Sequence, residues 1–377
     1  MKKSIHSTSV VLIGILMASA NVHAQTTLKE VFKNDFLIGV ALNDSQFTGE
    51  NAREAALVKK QFDAISPENC LKWGSVHPEP DRYNFGPGDQ YVEFGLKNHM
   101  FIVGHNLIWH QQTPKWVFQD DKGNPISRDA LIKRMHDHIF AVVGHYKGRI
   151  NGWDVVNEAL NEDGTLRQSS WEKIIGPDYI IMAYKFAHEA DPNVQLYYND
   201  YSLVNAPKRA GAITLIKKLQ AAGIPIAAVG MQGHYNMTWP APQAVDKTIK
   251  AFAKLGVKVN ISELDMNLLP SPTRSQAAEV SMNFALQAKL NPYTNGLPAD
   301  VEQQEAQRYA ALFKVFVADH QYIHHVTFWG VTDGDSWLNN WPVRGRTAYP
   351  LLFNRDCTPK PAFYSVIRVA QEQTAAK

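Results

Sequence analysis

Two short segments each place a glutamate at the end of an apolar, strand-like run. They are WDVVNE at 153–158 and ISELD at 261–265, which contribute Glu158 and Glu263. A carboxyl group at the edge of a buried strand is unfavourable unless it is used or compensated. Two of them on separate strands predict paired carboxyl groups that act on one bond, as in glycoside hydrolysis. The alternative is that each glutamate merely ends its strand and faces water or a lysine.

The proposed chemistry needs one neutral and one ionised carboxyl group. The neutral group protonates the leaving oxygen, and the ionised group stabilises positive charge at the anomeric carbon. Retaining enzymes hold the two groups about 5–5.5 Å apart. At an effective dielectric constant near 20, two charges at that distance repel by about 3 kcal/mol, or about two pKa units. If Glu158 and Glu263 lie this close, their repulsion alone would separate their roles.

Strand-like and helix-like segments alternate along the chain. The strand-like runs lie at 36–41, 64–73, 101–109, 152–158, 194–200, 227–234, 257–266 and 325–333. Helical spacing appears between them at 51–62, 130–145, 178–189, 208–222, 242–255 and 301–318. Eight strands alternating with helices predict an α/β fold, a single-domain (β/α)8 TIM barrel. An open doubly wound sheet is the alternative, but no G-x-G-x-x-G motif follows the first strand.

A barrel predicts where the functional groups lie, because its active site forms at the carboxyl ends of the strands. Polar and aromatic residues cluster at those ends. Examples are Glu68, Asn69, Lys72, Trp73, His105, Trp109, Asn157, Asn199, Tyr201, Gln232, His234, Asp265, Trp329 and Asp333. Amides, imidazoles and the lysine suit sugar hydroxyls, and Trp73, Trp109, Trp329 and Trp337 could offer flat apolar faces to sugar rings. Core packing is the alternative for any single Trp or His.

The first residues predict a secretory signal peptide at 1–24. A basic start is followed by a short apolar stretch at 10–20 and by Ala24 at the expected cleavage site. A retained anchor is the alternative, although the stretch is short for a membrane-spanning helix. The catalytic domain is then 25–377, secreted or periplasmic.

The charge of the chain is balanced. It has 38 Lys and Arg against 36 Asp and Glu, and loss of Lys2 and Lys3 would equalise them. A balanced chain lacks the electrostatic signature of nucleic-acid or anionic-membrane binding.

The two cysteines, Cys70 and Cys357, are expected to be unpaired thiols. A disulfide between them is the alternative, since sequence alone does not establish whether they meet. The spacing of cysteine and histidine matches no zinc motif, and His105 and His110 are not at the helical spacing of a metalloprotease. We therefore expect no metal.

Seven blocks of sequence together resemble family 10 of the glycoside hydrolases, which is dominated by endo-β-1,4-xylanases with a (β/α)8 barrel. The blocks are SPENCLKW (66–73), GHNLIWH (104–110), WDVVNEAL (153–160), YYNDY (197–201), VGMQGHY (229–235), VNISELDM (259–266) and FWGVTDGDSW (328–337). They follow the order of the family, and PKPAFY (359–364) fits its C-terminal end.

The resemblance implies retaining endo-hydrolysis of xylan, with Glu158 as general acid/base and Glu263 as nucleophile. It implies that Asn157 contacts the sugar 2-hydroxyl, that His234 and Asp265 hold Glu263, and that Gln232 helps to fix the sugar and the acid/base region. The implied non-reducing side of the cleft comprises Glu68, Asn69, Lys72, His105 and Trp109, with Trp329 and Trp337 as an aromatic wall and Tyr201 on the leaving-group side. The expected partner is xylan or a xylo-oligosaccharide, with no cofactor, no nucleic acid and no membrane anchor after cleavage. We expect a monomer.

Three departures from the family pattern accompany the resemblance. Cys70 stands where an acidic or small residue is usual, and Leu338 stands where a basic residue is common. The stretch 270–298 is long for a loop, with helix-like spacing at 275–290. Alternative functions are the same chemistry on short xylo-oligosaccharides or mixed β-glucans, and a non-catalytic glycan-binding protein.

Overall fold

Parallel strands close into a barrel in the computed structural model, which describes residues 26–272 and 282–376. The strands are β1 (Leu37–Leu42), β2 (Ala64–Pro67), β3 (Phe101–Ile108), β4 (Gly152–Asn157), β5 (Gln195–Asp200), β6 (Ile226–Met231), β7 (His234–Asn236), β8 (Lys258–Asn267) and β9 (Ile323–Phe328). Each strand from β1 to β6 pairs with the next, β6 pairs with β8, β8 with β9, and β9 with β1. The short β7 pairs with β8 outside this ring of eight. The predicted (β/α)8 barrel is therefore confirmed.

The barrel strands are buried along almost their whole length, which explains their continuous apolar runs. All six residues of β4 are buried. Two glycines permit the close packing of aromatic side chains on neighbouring strands. A Cβ atom on Gly104 would approach Trp153 to 2.2 Å, and one on Gly152 would approach Tyr197 to 2.3 Å. Only a residue without a side chain fits at these two positions.

Helices surround the barrel and connect its strands. They are α1 (Leu28–Val31), α2 (Asp44–Thr48), α3 (Ala52–Gln61), α4 (Trp73–Val76), α5 (Gly86–Lys97), α6 (Arg128–His145), α7 (Ser170–Ile175), α8 (Tyr179–Ala190), α9 (Ala206–Ala221), α10 (Pro242–Ala253), α11 (Ala299–Ala318) and α12 (Pro361–Ala376). Side-chain caps start several of them: Asn51 caps α3, and Ser127 caps α6. Proline in the first turn starts α9 and α10.

Three predicted strands have different bounds in the structure. The strand expected at 64–73 ends at Pro67, and Trp73 instead begins α4. The strand expected at 227–234 divides into β6 and β7 at Gly233, whose φ of 89° is readily adopted by glycine. The strand expected at 325–333 ends at Phe328.

The helix expected at 275–290 is wrong where the structure describes it. Residues 273–281 lie outside the described residues. From 282 to 287 the chain is not helical, and Ala288–Leu290 forms one 3-10 turn. The backbone N–H of Phe284 donates to the Pro342 carbonyl at 2.8 Å. This contact with a distant loop replaces the local hydrogen bond that a helix would require.

A buried ionic cluster fastens α12 to the loop that follows β9. Lys360 precedes α12, and its Nζ donates to Glu305 Oε1 at 2.9 Å and lies 3.2 Å from Asp333 Oδ2. All three side chains are fully buried. Burial, opposed by the charge of Lys360, raises the pKa of Glu305 to about 8. The cluster therefore stabilises the loop at 329–346 through its contact with Asp333.

Both cysteines are free, as predicted. Cys70 is buried, and burial raises the pKa of its thiol. Within residues 26–272 and 282–376, no helix is both long and apolar enough to cross a membrane.

Candidate active site

A cavity of about 370 Å³ lies where the carboxyl ends of the barrel strands meet. Most of the residues implied by the resemblance line it: Glu68, Lys72, His105, Trp109, Asn157, Glu158, Gln232, His234, Glu263, Trp329 and Trp337. Residues that the sequence did not single out complete the lining: Gln112, Gly334, Asp335, Ser336, Asn340 and Trp341. The two glutamates thus open onto one cavity, as convergence of their strands predicts.

Glu158 is held by neutral hydrogen-bond donors. Trp109 Nε1 donates to Glu158 Oε2 at 2.8 Å, and Gln232 Nε2 donates to Oε1 at 3.0 Å. The residue is 4% exposed, and its φ of 55° lies in the left-handed region. Burial raises the pKa of Glu158, although the charge of His110 and these two donors lower it in part. The surroundings therefore favour the protonated form.

Glu263 lies within β8 and is held by donors of a different character. Asn199 Nδ2 donates to Glu263 Oε1 at 2.7 Å, and His234 Nε2 lies 3.1 Å from Oε2. Burial alone would raise the pKa of Glu263. The His234 hydrogen bond, the charges of His105 and His234, and the Asn199 hydrogen bond outweigh burial and lower it. Glu263 is therefore kept ionised.

His234 carries a positive charge because it lies between two carboxylates. Its Nδ1 is 2.9 Å from Asp265 Oδ2, on the side opposite Glu263. Burial would lower the pKa of His234, but the charge and hydrogen bond of Asp265, together with Glu263, raise it to about 10. Trp337 Nε1 also donates to Asp265 Oδ2, at 2.7 Å. Asp265 thus orients both the imidazolium and one indole of the cleft.

The opposite pKa shifts of the two glutamates follow from their separate surroundings. The largest influence on each is burial, and at Glu263 the combined effects of His234, His105 and Asn199 reverse it. Mutual repulsion, which the sequence suggested as a sufficient cause, is not required for the difference. Asn199 links the two sites, because its Nδ2 also donates to Asn157 Oδ1 at 3.0 Å.

Lys72 joins polar side chains on the side of the cleft that adjoins β2 and β3. Its Nζ donates to Asn69 Oδ1 at 3.1 Å and to Gln112 Oε1 at 3.0 Å, and lies 5.1 Å from the centre of the Trp109 ring. Burial lowers the pKa of Lys72, opposed first by the charge of Glu68. Asn69 itself is exposed and does not line the cavity. It acts on the cleft through Lys72.

Aromatic rings form another wall of the cavity. The Trp337 and Trp341 rings stack with centres 4.3 Å apart and planes at 12°. Trp329 meets the edge of His105 at 5.5 Å between centres, and His105 Nδ1 lies 2.8 Å from the buried Asp154. Trp341, which the sequence left unassigned, therefore extends the predicted wall.

Two further aromatic residues occupy different places from those expected. Trp73 is buried and stacks on His138, with ring centres 3.6 Å apart, so its expected sugar-facing role is wrong. Tyr201 is 4% exposed and does not line the cavity. Its hydroxyl accepts a hydrogen bond from Arg167 at 2.8 Å, and Lys208 Nζ lies 3.4 Å from its ring centre.

Sequence reasoning missed Asn199 and Gln112 as site residues. Asn199 was visible as a polar residue near the end of β5, and its position beside β4 could have indicated its contact with Asn157. Its contact with Glu263, on β8, had no such signal. Gln112 follows β3 by four residues, with no strand pattern to mark it. Among residues 26–272 and 282–376, no group of three or more His, Cys, Asp or Glu side chains is placed to hold a metal ion.

The chain matches the family model for glycosyl hydrolase family 10 over residues 27–369. It belongs to this family. Endo-1,4-beta-xylanase A of Xylanibacter ruminicola is 44% identical over 355 residues, which is 94% of this chain and 96% of that protein. A beta-1,4-xylanase of Dictyoglomus thermophilum is 40% identical over 359 residues, 94% of each chain.

Solved structures of family 10 share the barrel. A GH10 endoxylanase retrieved from a sugarcane soil metagenome has a TM-score of 0.88 and 43% identity to this chain, and the match covers 91% of this chain and 99% of that one. The order of the seven sequence blocks and the closed barrel therefore agree with the family.

Proposed function

We propose that this family 10 chain hydrolyses internal β-1,4-xylosidic bonds of xylan with retention of anomeric configuration. The observation that carries the proposal is one cavity holding a carboxyl group with a raised pKa, Glu158, and one with a lowered pKa, Glu263. Such a pair supplies a proton donor and a nucleophile at the same pH. The names of the two curated relatives support xylan as the polymer.

In the first step, the Glu158 proton passes to the glycosidic oxygen while a Glu263 carboxylate oxygen attacks the anomeric carbon. The bond from that carbon to the leaving oxygen breaks, and its electron pair stays with the oxygen, which leaves as a hydroxyl. The product is a glycosyl ester of Glu263, with Glu158 now ionised. Asn157 lines the cavity with both glutamates, which supports its assignment to the sugar 2-hydroxyl.

In the second step, water replaces the departed half of the substrate. Glu158 accepts one proton from the water as its oxygen attacks the anomeric carbon, and the ester bond breaks with its electrons returning to Glu263. The positive charge of His234 stabilises the carboxylate that is released. Both residues regain their starting protonation states.

The cleft binds neutral sugar through hydrogen bonds and ring faces. Glu68, Lys72 and His105 offer charged and polar groups to hydroxyls, and Trp329 and Trp337 offer indole surfaces. The indole N–H of Trp109 is already committed to Glu158. We therefore assign Trp109 to holding the proton donor as well as to contacting sugar.

We also propose that residues 1–24 direct export and are removed, and that the mature chain acts as a monomer without a cofactor. The basic start, the apolar stretch at 10–20 and Ala24 support cleavage, and the destination is the periplasm or the medium. N-terminal sequencing of the exported protein, expected to start at Gln25, tests cleavage. Light scattering tests the monomer.

The decisive experiment follows the anomers released from xylohexaose by proton NMR. Retention predicts that the β anomer appears first and then mutarotates; the α anomer appearing first would contradict the mechanism.

Parallel digests of xylan, cellulose and mixed β-glucan identify the polymer. Xylan is expected to give mid-length products early, whereas activity confined to short oligosaccharides or to glucans would favour the alternative substrates. Binding to xylan without release of reducing ends would indicate a glycan-binding protein.

A further inference from the structure

The loop that follows β4 forms a short hairpin that returns the chain to Glu158. The N–H of Arg167 donates to the Ala159 carbonyl at 2.8 Å, and the N–H of Asn161 donates to the Thr165 carbonyl at 2.9 Å. The hairpin therefore brings Arg167 back beside the proposed proton donor.

The tip of the hairpin packs directly on the first turns of α9. Gly164 has a φ of 83°, and a Cβ atom there would approach the Pro207 carbonyl oxygen to 2.3 Å. A Cβ atom on Gly211 would likewise approach the Gly164 carbonyl oxygen to 2.3 Å. These two glycines permit contact between backbones, and this contact holds the hairpin against the helix.

The Arg167 side chain joins the backbone of Glu158 to the end of β5. Its Nε donates to the Glu158 carbonyl at 3.1 Å, and its Nη2 donates to the Tyr201 hydroxyl at 2.8 Å. Tyr201 is itself held, because Lys208 Nζ lies 3.4 Å from the centre of its ring and 2.9 Å from Oδ1 of the buried Asp200. The guanidinium is therefore anchored on a side chain that does not line the cavity.

Both backbone polar groups of Glu158 are bonded to other segments of the chain. Its N–H donates to the Asn199 carbonyl at 2.9 Å, and its carbonyl accepts from Arg167. Its φ of 55° is less favourable for a glutamate than for a glycine, so the surrounding contacts must maintain this conformation. Because the backbone conformation sets the direction of Cβ, these two contacts aim the carboxyl group into the cavity.

We propose that Arg167 is a positioning residue for the proton donor, and that its hydrogen bond to the Glu158 carbonyl keeps the carboxyl group within reach of the glycosidic oxygen. The inference rests on the proposed function, which assigns proton donation to Glu158. In the described part of the chain, Arg167 does not line the catalytic cavity, so it acts through Glu158. A positive charge lowers the pKa of a nearby carboxyl group, so loss of Arg167 would not by itself ionise Glu158. Slower proton transfer would therefore report a misplaced carboxyl group.

Two other roles would use the same side chain differently. Arg167 could stabilise the hairpin alone, in which case its loss would slow all substrates alike. It could instead contact sugar on the leaving-group side, in which case its loss would affect only substrates that carry a sugar there.

The test compares two xylobiosides whose leaving groups differ in their need for a proton. The phenol released from 2,4-dinitrophenyl β-xylobioside departs without protonation, whereas phenyl β-xylobioside requires a proton from Glu158. We expect Arg167→Gln to lower kcat/KM for the phenyl substrate by about 10- to 100-fold, because misplacing a catalytic group slows the step in which it acts. The dinitrophenyl substrate should lose less than about threefold. Arg167→Lys, which keeps the charge and a donor, should recover part of the activity on the phenyl substrate.

Arg128→Gln is the matched control. The exposed Arg128 also donates from Nε to a backbone carbonyl, that of Ile175, at 2.9 Å. Both kcat/KM values should therefore stay at the wild-type level. If Arg167→Gln does not fold, Arg167→Lys decides, and it should show the same selective loss at a smaller size, about three- to tenfold.

A double variant shows whether Arg167 acts through Glu158. In the Glu158→Ala background the carboxyl group is absent, so adding Arg167→Gln should change kcat/KM for the phenyl substrate by less than about twofold. A further large loss in this background would mean that Arg167 acts on another group, and would overturn the proposal.

Equal losses on the two xylobiosides would overturn the proposal in favour of a purely structural role. Unchanged values for both, with a loss on xylohexaose alone, would overturn it in favour of sugar contact. Failure of the proposed function is a separate outcome. A wild-type enzyme that cleaves no xylo-oligosaccharide, or a Glu158→Ala variant with full activity on the phenyl substrate, would refute the role of Glu158 itself.

Discussion

Glu158 and Glu263 are buried to almost the same degree, at 4% and 5% exposure, but their surroundings act in opposite directions. At Glu158 the donors are an indole and an amide, which leave burial as the dominant influence. At Glu263 one donor is a charged imidazole, and His234, His105 and Asn199 together outweigh the effect of burial. The presence of a charged donor, rather than the depth of the carboxyl group, therefore distinguishes the surroundings of the two glutamates.

The two glutamates also differ in their backbone conformation. Glu263 lies within β8, where its N–H donates to the Gln232 carbonyl. Glu158 lies just beyond β4 in a left-handed conformation, and its N–H donates to the Asn199 carbonyl at 2.9 Å. The proposed nucleophile is thus part of the barrel wall, and the proposed proton donor lies just beyond the end of its strand.

The largest effect is expected from removing the nucleophile. Glu263→Ala should lower kcat on xylan by a factor on the order of 10⁴ or more, because it removes the carboxylate that is proposed to form the glycosyl ester. Circular dichroism and a melting temperature close to that of the wild type would verify folding. Activity within tenfold of the wild type in a folded variant would refute the assignment of Glu263.

Glu158→Ala should be nearly as severe on xylan but milder on an aryl xylobioside whose leaving group needs no proton. Its rate on xylan should fall by about 10³-fold. Azide, which can replace water without general-base help, should restore turnover of the aryl substrate and yield a β-xylobiosyl azide. The same product from Glu263→Ala would reverse the two assignments.

Replacing the charged donor tests the origin of the difference. His234→Gln keeps a hydrogen-bonding side chain but removes the positive charge that lowers the pKa of Glu263. The acid limb of kcat/KM should therefore move to higher pH by about one unit, with a loss of about 10- to 100-fold at the optimum. An unshifted acid limb would show that the imidazolium does not set the ionisation of Glu263.

Trp109→Phe is the corresponding change at the other glutamate. The indole N–H lowers the pKa of Glu158, so its loss should raise that pKa and move the basic limb of the profile to higher pH. The shift should be about half a unit, with a loss of activity of about tenfold. Movement of the acid limb instead would mean that Trp109 acts on Glu263.

Removing the charge of each glutamate should change the free energy of unfolding in opposite directions. These are the smallest effects among the predictions. The pKa of Glu158 is raised above the ordinary 4.5, so its ionisation opposes folding, and Glu158→Gln should raise the melting temperature at pH 7. The pKa of Glu263 is lowered below 4.5, so its charge favours folding above that pH, and Glu263→Gln should lower the melting temperature. Each effect should be about 1–2 kcal/mol. The Glu158 effect should vanish as the pH falls from its raised pKa to 4.5, and the Glu263 effect should vanish as the pH falls from 4.5 through its lowered pKa. Shifts of the same sign at pH 7 would contradict the comparison.

The sequence predicted most of the barrel because each buried strand is a continuous apolar run followed by polar residues. It also located both glutamates, since strand ends of a barrel meet at one face. Strand ends were less certain where aromatic residues continued the pattern. Trp73 looked like the end of a strand but begins α4 and packs on His138.

The sequence pattern could not predict contacts between segments that are far apart in the chain. Tyr201 follows β5 as a cleft residue would, yet Arg167 and Lys208 hold it away from the cavity lining. The segment at 282–287 has helical spacing, but its Phe284 backbone is bonded to Pro342 instead.

The left-handed backbone at Glu158 affects which substitutions at this position would stabilise the fold. Asn or Gly adopts a φ of 55° at less cost than a glutamate does. Substitution to either would relieve strain of about 1 kcal/mol and remove an unfavourable buried acid, while destroying the proton donor. A library screened only for heat resistance would therefore enrich inactive chains at this position, and catalysis must be selected alongside durability.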